Sequence, residues 1–388
     1  MERKRKDFWL KKEECTGCGA CINICPVGAV SMKTDSCGFS YPVINEKCIH
    51  CNLCEKVCKR RLNLNRKKFE QPQVFAAWSL DKEIRYNSTS GGIFSEIAKF
   101  VLTQGGFVAG AAYNRNNLVE HVLISKENEL DIIRQSKYIQ SDMGVIYQKI
   151  KEKLLKGKKV LFCGAPCQVA GLYAYLGEDM SGLSTVDFIC RGVNSPKAYL
   201  SWLNELEKKQ RSRAVKVWFK YKINGWKKSP RCTRIDFENG TNCIQNGEKN
   251  TFMSGYLGPN LYIRPCCGEC EFKEIPRQGD ITLADFWGID KVLDDDMGTS
   301  LVLINSQKGK EIFYQINHRI FLQEREISEV IQGNDCFCNS VKINPKSRIF
   351  LESLDRLTFH KALKKYTHKM LLRKIYGKMK HKIKRKLG

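Results

Sequence analysis

The sequence predicts an α+β protein in three parts: a small cysteine-rich module at residues 1–71, a mixed α/β body at residues 72–345 and a basic helical extension at residues 346–388. Three observations predict this organisation. A run of closely spaced cysteines occurs twice within the first sixty residues. Short apolar strand patterns then alternate with helical patterns, as expected for a mixed α/β body. The final thirty residues contain twelve Lys or Arg and no acidic residue.

The two cysteine runs share the spacing C-x2-C-x2-C-x3-C, which is typical of bacterial ferredoxins with two 4Fe-4S clusters. Three thiolates on one tight loop can hold three corners of a cubane, and the fourth thiolate, after a turn, points towards the neighbouring cluster. We therefore expect cross-ligation between the runs. The first cluster is assigned to Cys15, Cys18, Cys21 and Cys58, and the second to Cys48, Cys51, Cys54 and Cys25.

Structural zinc is the alternative for these cysteines, because zinc also binds paired thiolates. Each run offers three closely spaced thiolates and then a fourth, which fits zinc poorly and an iron–sulfur cubane well. One departure from the ferredoxin pattern is that Cys58 precedes Lys59, whereas Cys25 precedes a proline. His50 lies inside the second loop and is expected to be solvated, since the cysteines already complete the ligand sets.

The cysteine content indicates a reducing compartment. The chain has 19 cysteines in 388 residues, and its charged N-terminus, Met1–Lys6, is not followed by the apolar segment of a signal peptide. We therefore expect a cytoplasmic protein in which clustered cysteines bind metal rather than form disulfides. The longest uncharged stretch, Val160–Gly177, is interrupted by glycines and a proline, so no transmembrane helix is expected.

A polar, basic stretch at Lys59–Gln73 predicts a linker, and we expect the module before it and the body after it to fold with separate cores. Within the body, apolar periodicity and capping residues predict both strands and helices. The strands are expected at residues 74–78, 159–163, 184–189 and 215–221, and the helices at residues 92–102, after Gly164 and at Ser195–Pro196.

Four further cysteines occur in distinctive local contexts. Cys167 follows a strand and opens a helix, Cys190 ends a strand, and Cys267 and Cys270 form a C-x2-C pair. With these segments the chain resembles the beta subunit of the deazaflavin-coenzyme (coenzyme F420) hydrogenases and dehydrogenases, from about residue 73 to about residue 305. The segments that carry the resemblance are Ser88–Gly92, Ser136–Ser141, Gly164–Gly171, Asp187–Pro196, Arg264–Cys270 and Asp280–Gly288. Many members of this family also carry an N-terminal double-cluster ferredoxin module.

The resemblance implies FAD in the body and a third 4Fe-4S cluster beside it. Carried over by position, the ligands of that cluster are Cys167, Cys190, Cys267 and Cys270. Cys163 and Cys266 lie close to this set in the sequence, and either could replace a ligand or be idle. Arg191 stands where a histidine is common in the family. The alternative for any one of these cysteines is a small buried hydrophobe, and the remaining cysteines are expected to be ordinary thiols: Cys37, Cys232, Cys243, Cys336 and Cys338.

The candidate flavin contacts are Ser88, Ser90, Gly91, Gly92, Lys137 and Tyr138. Hydroxyls and backbone N–H groups at a helix N-terminus favour an anion such as the FAD pyrophosphate. The alternative for Ser88–Gly92 is an ordinary N-cap with a glycine turn, and only the family resemblance favours flavin. Lys137 and Tyr138 could supply charge and a hydrogen bond near a flavin or substrate, or could lie on a solvated face.

The net charge of +25 favours anionic partners. Residues 208–234 contain eleven Lys or Arg among four aromatic residues, and the pattern fits either nucleic acid binding or an antiparallel hairpin with one wet face. We favour docking of an anionic substrate or protein over nucleic acid. In the extension, Phe359, Leu363, Tyr366 and Met370 share one helical face, which could lie on an anionic membrane at the inner face; the alternative is a solvated helix or a disordered segment.

These features together predict a flavin-dependent iron–sulfur oxidoreductase. Electrons from a donor such as ferredoxin would pass through the clusters and FAD to a small-molecule acceptor, with no catalytic residue identified by the sequence. The alternative is an electron-transfer subunit that has no substrate of its own and serves a partner enzyme.

Overall fold

The computed structural model describes residues 10–60 and 66–367. In these ranges the strands are β1 (Val30–Thr34), β2 (Ser40–Ile44), β3 (Gln73–Ser79), β4 (Phe107–Tyr113), β5 (Val119–Ile124), β6 (Ser141–Asp142), β7 (Val160–Cys163), β8 (Leu183–Phe188), β9 (Ala214–Phe219), β10 (Thr233–Phe237), β11 (Asn242–Gln245), β12 (Ile281–Asp285), β13 (Ser300–Ile304) and β14 (Ile320–Glu324).

The helices are α1 (Ala20–Asn23), α2 (Leu53–Arg60), α3 (Lys82–Tyr86), α4 (Ile93–Thr103), α5 (Leu130–Ile133), α6 (Ile146–Leu155), α7 (Pro166–Leu176), α8 (Pro196–Gln210), α9 (Thr251–Tyr256), α10 (Gln307–Gln315), α11 (Ile327–Gly333) and α12 (Ser347–Ser353). A further helical run covers residues 359–367. Among the described residues, no helix combines the length and the apolar composition needed to cross a membrane.

A nine-stranded mixed sheet forms the centre of the body, in the order β14-β3-β13-β12-β8-β7-β4-β5-β6. The adjacent strands β12, β8, β7 and β4 are parallel to one another. β13 and β14 run against their neighbours, and β5 is antiparallel to β4 but parallel to β6. The four parallel strands therefore end at one edge of the sheet, which we call the carboxyl edge. In such sheets ligands bind outside the carboxyl ends of the strands. The α+β class is confirmed at the level of a mixed α/β fold with this large mixed sheet.

The central strands are apolar because helices cover both faces of the sheet. In β7 the side chain of Leu161 packs on the face covered by α4, whereas Val160 and Phe162 pack on the face covered by α6 and α7. This alternation follows the two-residue period of a strand. The elements expected in the body are confirmed, including the helix at Ser195, whose hydroxyl accepts a hydrogen bond from the backbone N–H of Ala198.

In the part of it that the structure describes, the N-terminal module does not have a core of its own. Cys18, Ala20 and Val57 belong to one hydrophobic cluster with α6 and α7. Phe39 and Tyr41 belong to a second cluster, which includes α8 and β9. The expectation of separate cores is therefore wrong: the module and the body are packed together through continuous apolar contacts.

The described part of the expected linker is also attached to the body. Lys68 is almost fully buried and forms an ion pair with Asp280, with 3.0 Å between Nζ and Oδ1. The backbone N–H of Phe69 donates to the carbonyl of Asn305 at 2.8 Å. Arg66 lies over the ring of Tyr173 at 3.7 Å. Residues 66–73 therefore behave as part of the body rather than as a free connection.

The basic and aromatic segment at residues 208–234 contributes to a small antiparallel sheet in the order β11-β10-β9. Its aromatic side chains are buried: Trp218, Phe219, Tyr221 and Trp226. Several of its cations, such as Lys216, Lys227 and Lys228, face the solvent. The alternative of an antiparallel structure with one wet face is thus the correct one, and the aromatic rings are not available for stacking on bases.

The start of the C-terminal extension is part of the protein core. Phe359 and Ala362 are fully buried, and Leu363 and Tyr366 pack against the same cluster as Phe350. The expectation that this apolar face contacts a membrane is therefore wrong for these four residues, because the protein itself covers the face. Met370 and the rest of the extension lie outside the described residues.

Candidate functional site

The twin cysteine runs form two separate cavities. The proximal cavity is lined by Cys15, Cys18, Cys21 and Cys58 and has about 330 Å³ of empty space. The distal cavity is lined by Cys25, Cys48, Cys51 and Cys54 and has about 390 Å³. Each cavity thus receives three cysteines from one run and the fourth from the other run, which is the grouping that the spacing predicts.

The loops owe their shape to residues with left-handed backbones. Gly17 and Gly19 have φ angles of 70° and 78°, and His50 and Asn52 have φ angles of 56° and 59°. Such positions turn the chain tightly between successive cysteines. His50 is exposed, as the sequence predicts.

The thiols in these cavities are suited to binding a metal centre that displaces their protons. Burial raises the pKa of Cys21 well above its usual value, and the neighbouring thiols of Cys18, Cys15, Cys58 and Cys54 raise it further. A polynuclear metal centre would supply the positive charge that four thiolates need. Within residues 10–60 and 66–367, no three or more His, Cys, Asp or Glu side chains converge closely enough to hold a single metal ion.

A second set of four cysteines, which we call the quartet, lies at the carboxyl edge. Cys167 is in the first turn of α7 directly after β7, and Cys190 lies just beyond the end of β8. Cys267 and Cys270 come from a 3₁₀ turn at Pro265–Glu269 and the residue after it. Burial raises the pKa of Cys167 well above its usual value, with further increases from Cys190, Cys270 and Cys267. The fold therefore brings these four thiols together, although they come from three segments that are far apart in the sequence.

The other nearby cysteines have different surroundings. Burial raises the pKa of Cys163 to about 12, and the charged groups that act on this thiol are Asp187 and Lys137 rather than other cysteines. Its side chain packs against the sheet and lies apart from the quartet. Cys266 is buried, and its side chain is hydrogen-bonded to that of Cys267. Cys336, expected to be an ordinary thiol, accepts from Arg191 with 3.7 Å between Nη1 and Sγ.

Four cations lie in or next to the segments that carry the quartet, and sequence reasoning missed three of them: Arg264, Lys273 and Arg277, the fourth being Arg191. Arg264, Lys273 and Arg277 have exposed fractions of 0%, 6% and 2%. The hydrogen-bond acceptors of these three residues are carbonyl or amide oxygens, and Arg191 donates to Asn260 and Cys336. In the described part of the chain none of the four cations forms an ion pair with a carboxylate.

The orphaned nitrogens point to the missing counter-charge. Among the described residues, Nε and Nη2 of Arg277 and Nε of Arg191 are buried and have no hydrogen-bond acceptor. Burying a charge without an opposite charge costs several kcal/mol, so these cations need an anion. Four thiolates around a cubane carry net negative charge and would accept N–H···S hydrogen bonds, so the residues present fit a 4Fe-4S cluster at the quartet. In the sequence these basic residues are separate from one another, and no pattern indicated that they converge on one site in the fold.

The proximal cavity and the quartet meet at α7. A Cβ atom on Gly171 would lie 3.0 Å from Sγ of Cys18, so α7 approaches the proximal cavity closely. The hydroxyl of Tyr147 lies 2.8 Å from the carbonyl oxygen of Cys18 and 2.7 Å from that of Gln168, the residue after Cys167. Nε of Arg264 donates to the carbonyl of Cys15 at 2.8 Å. The two four-thiol regions therefore share supporting residues.

Several donors at the expected anion site, Ser88–Gly92, already have partners within the protein. The hydroxyls of Ser88 and Ser90 donate to the carbonyls of Ile84 and Thr299, both at 2.7 Å, and the N–H of Gly91 donates to Ser300. Glu96, in the first turn of α4, is buried and already places a carboxylate at this helix N-terminus. The hydroxyls of Ser88 and Ser90 and the N–H of Gly91 are therefore already engaged with neighbouring protein groups. Gly92 serves as the glycine N-cap of α4, with φ of 93°.

Lys137 and Tyr138 are half-buried beside the carboxyl edge. Nζ of Lys137 donates to the carbonyl of Arg134 at 2.6 Å, and burial lowers the pKa of this amine to about 7. The ring of Tyr138 lies 5.2 Å from that of Phe219, and burial raises the pKa of its hydroxyl. Both residues are placed where they could contact a ligand at this edge.

Comparison with known proteins gives matches over most of the chain. Residues 74–147 and 157–330 match the N-terminal and C-terminal parts of the family "Coenzyme F420 hydrogenase/dehydrogenase, beta subunit". Residues 14–62 match the family "4Fe-4S dicluster domain".

Individual relatives are distant. The chain is 26% identical over 175 residues to one subunit of the F(420)H(2) dehydrogenase of Methanosarcina mazei, covering 41% of this chain and 47% of that protein. It is 24% identical over 331 residues to the coenzyme F420-dependent sulfite reductase of Methanocaldococcus jannaschii, covering 82% of this chain and 48% of that protein. The chain thus spans about half the length of these curated relatives. A chain of the F420-reducing [NiFe] hydrogenase complex from Methanosarcina barkeri aligns over 79% of this chain and 94% of its own, with 19% identity and a TM-score of 0.46.

Proposed function

The chain belongs to the family of coenzyme F420 hydrogenase and dehydrogenase beta subunits, and on that premise we propose that it is an iron–sulfur oxidoreductase with three 4Fe-4S clusters. It would pass electrons between a ferredoxin-type donor and a small-molecule acceptor. When bound, such clusters supply one-electron carriers. The distal and proximal cavities would hold two of them and the quartet the third, each with four thiolate ligands.

The observation that carries this proposal is the close approach of the proximal cavity to α7. Cys18 lines the cavity and lies against Gly171, one turn along the helix that begins beside Cys167. Tyr147 and Arg264 hold the two regions in register through hydrogen bonds to Cys18 and Cys15. At the other end, Cys51 is exposed in the distal cavity, where a donor protein could approach. This arrangement supports a path from the surface to the carboxyl edge.

We place the FAD implied by the family at the carboxyl edge, beside Lys137 and Tyr138, as part of the same proposal. A flavin there would convert one-electron arrivals into a two-electron reduction of the acceptor. Lys137 would supply a cation or a neutral amine near pH 7 and Tyr138 a hydroxyl donor. Ser88–Gly92 would shape this edge through their contacts with β13 instead of binding the pyrophosphate. Identification of the released flavin by mass spectrometry tests this part separately.

A second candidate is an electron-transfer subunit without a substrate of its own. One relative, from Methanosarcina mazei, is named as a subunit of a dehydrogenase, which favours a partner oxidoreductase for this chain too. A cytoplasmic setting fits either candidate, since none of the 19 cysteines, all within the described residues, forms a disulfide. Attachment to an anionic membrane stays a prediction for residues 368–388 alone, and liposome sedimentation with and without that segment tests it.

The decisive experiment is an iron count on anaerobically purified protein. The expected result is about twelve irons per chain by the four-iron rule, falling to about eight in the double variant Cys267→Ser/Cys270→Ser. Cys163→Ser is the matched control, because that thiol lies apart from the quartet, and it should retain about twelve. A wild-type count near eight, or a double variant that keeps the wild-type count, would overturn the third cluster.

A further inference from the structure

The four cations around the quartet are unusual in their position as well as in their lack of carboxylate partners. Nζ of Lys273 donates to the carbonyl of Cys190 and, at 2.7 Å, to that of Cys336. This places an ammonium group directly behind a quartet residue. Nη1 of Arg277 donates to the carbonyl of Phe272 at 3.2 Å, and the other two nitrogens of this guanidinium are buried without acceptors.

Both charges act on the thiols of the quartet. Lys273 and Arg277 both lie near enough to Cys270 for their charges to act on it. Lys273 also acts on Cys190, whose carbonyl accepts a hydrogen bond from its Nζ. A positive charge that favours a thiolate also favours any other negative charge added at the same place.

The segment at residues 334–343 packs over part of this region. Phe337 and Val341 are buried, and the ring of Phe337 packs over the guanidinium of Arg277 at 5.6 Å. The hydroxyl of Ser340 accepts from the backbone N–H of Cys270 at 2.9 Å. Charges beneath this cover interact in a medium of low dielectric constant, where their effects are several times larger than at the surface.

Arg264 is shared between the proximal cavity and the quartet, because its Nε donates to the carbonyl of Cys15 and its charge also acts on Cys267, whereas Lys273 and Arg277 act on the quartet. The charges that act most strongly on Cys21 and Cys54 are those of other cysteines. Cys51 of the distal cavity is exposed to solvent. Reduction of a thiolate-ligated cubane adds one electron and no proton, so the site becomes one unit more negative. Burial opposes that change, and buried cations favour it.

We infer that Lys273 and Arg277, with Arg191 in a lesser role, raise the reduction potential of the cluster held by the quartet and so make that cluster the acceptor of electrons from the proximal one. One electron leaves the proximal site and one arrives at the quartet, where the cations balance the added charge. This inference rests on the proposed function, because it requires a cluster at the quartet. It assigns a direction to the path: from the twin runs towards the carboxyl edge.

The test is a redox titration of the full-length, anaerobically purified protein, followed by electron paramagnetic resonance. In the wild type, the quartet signal should appear at a less negative potential than both signals of the twin runs. Lys273→Met and Arg277→Gln should each shift the quartet signal alone to more negative potential, by at least a tenfold change in its equilibrium constant, or about 59 mV for one electron. Arg277→Lys keeps the charge and should restore most of the shift.

A matched control distinguishes the effect of losing a charge at the quartet from the effect of losing a buried lysine elsewhere. Lys222 is equally buried and donates to three carbonyls, those of Arg85, Ser90 and Met297, with no cysteine among its partners. Lys222→Met should leave all three potentials unchanged. Arg191→Gln provides a further neutral variant at a half-buried position, where folding is least at risk, and should shift the quartet signal in the same direction.

The outcomes distinguish the two proposals. A wild-type protein with only eight irons removes the third cluster and with it the proposed function. Neutral variants that keep the wild-type iron content but show no shift, or that shift the signals of the twin runs equally, overturn the inference and leave the third cluster in place. If one neutral variant loses iron, the variants that retain it decide the matter.

Discussion

Gly171 lies where a side chain would separate the module from the body. Its missing Cβ would be 3.0 Å from Sγ of Cys18 and 3.1 Å from the hydroxyl of Tyr147. Glycine inside a helix costs roughly 0.5–1 kcal/mol relative to alanine, so its presence in α7 needs a compensating reason. The close contact with Cys18 supplies that reason.

We predict that Gly171→Ala perturbs the proximal cluster despite its better helix propensity. The added methyl group would push Cys18 away, because Tyr147 blocks the other side. The expected result is a lower melting temperature and an altered or lost paramagnetic signal from the proximal site. Gly258→Ala is the control, since nothing lies within 4 Å of its Cβ position. A Gly171→Ala protein that is more stable and spectroscopically unchanged would show that the contact is unimportant.

A second prediction concerns cross-ligation. Cys25 follows the first run in the sequence but lines the distal cavity with Cys48, Cys51 and Cys54. Cys25→Ser should therefore weaken or abolish the distal signal and spare the proximal one. Cys58→Ser, the reciprocal change, should do the opposite, because Cys58 lines the proximal cavity. Loss of the proximal signal alone in Cys25→Ser would contradict the assignment.

At the scale of elements, the basic extension illustrates how an amphipathic pattern alone does not identify what covers its apolar face. The same residues that would suit a membrane surface suit a protein core. The structure decides between them for residues 359–367, where Phe359 packs on Tyr262 and Phe350 with ring centroids 5.9 Å and 6.0 Å apart. The first turns of the extension thus pack against the core and form part of it.

We predict that Phe359→Ala destabilises the whole protein by about 3–5 kcal/mol, the usual cost of deleting a buried phenylalanine ring. The measurement is denaturant unfolding of the anaerobic protein. His360→Ala is the control, because that neighbouring side chain is exposed and its removal should change stability by less than about 0.5 kcal/mol. Equal stability of the two variants would mean that residues 359–367 do not contribute to the core.

At the scale of the whole molecule, the module and the body depend on each other. Phe39 and Tyr41 of the module are buried against the body. The guanidinium of Arg264, which belongs to the body, lies over both rings. Two of its hydrogen-bond acceptors, the carbonyls of Cys15 and Ser40, belong to the module. Removing the module would delete two of the three acceptors of this guanidinium and expose the apolar surface of the body that Phe39 and Tyr41 cover, which is a large destabilisation.

We therefore predict that a chain lacking residues 1–71 does not form a stable body. It should melt at a clearly lower temperature than the full chain, or aggregate, and should lose iron from the quartet. Within the intact chain, Phe39→Ala should cost about 3–5 kcal/mol, whereas Val43→Ala, at an exposed position of the same hairpin, should cost much less. A truncated body that is as stable as the full protein would indicate independent folding.

The sequence by itself determined the local features. The spacing of the twin runs predicts which cysteines share a cavity, because a few covalent bonds limit where neighbouring thiols can lie. Periodicity and capping predict the strands and helices of the body, such as β7 and the helix at Ser195. Family resemblance added the quartet, whose members no spacing rule could have joined.

Only the tertiary structure decided what depends on distant parts of the chain. The shared core, the burial of Phe359 and the internal hydrogen bonds of Ser88–Gly92 arise from contacts between segments far apart in the sequence. The same is true of the cations at residues 191, 264, 273 and 277. Periodicity reports that a face is apolar, and composition reports that a residue is charged, but neither identifies the partner. Partners are selected by packing and by the need to compensate buried charge, which act only once the chain has folded.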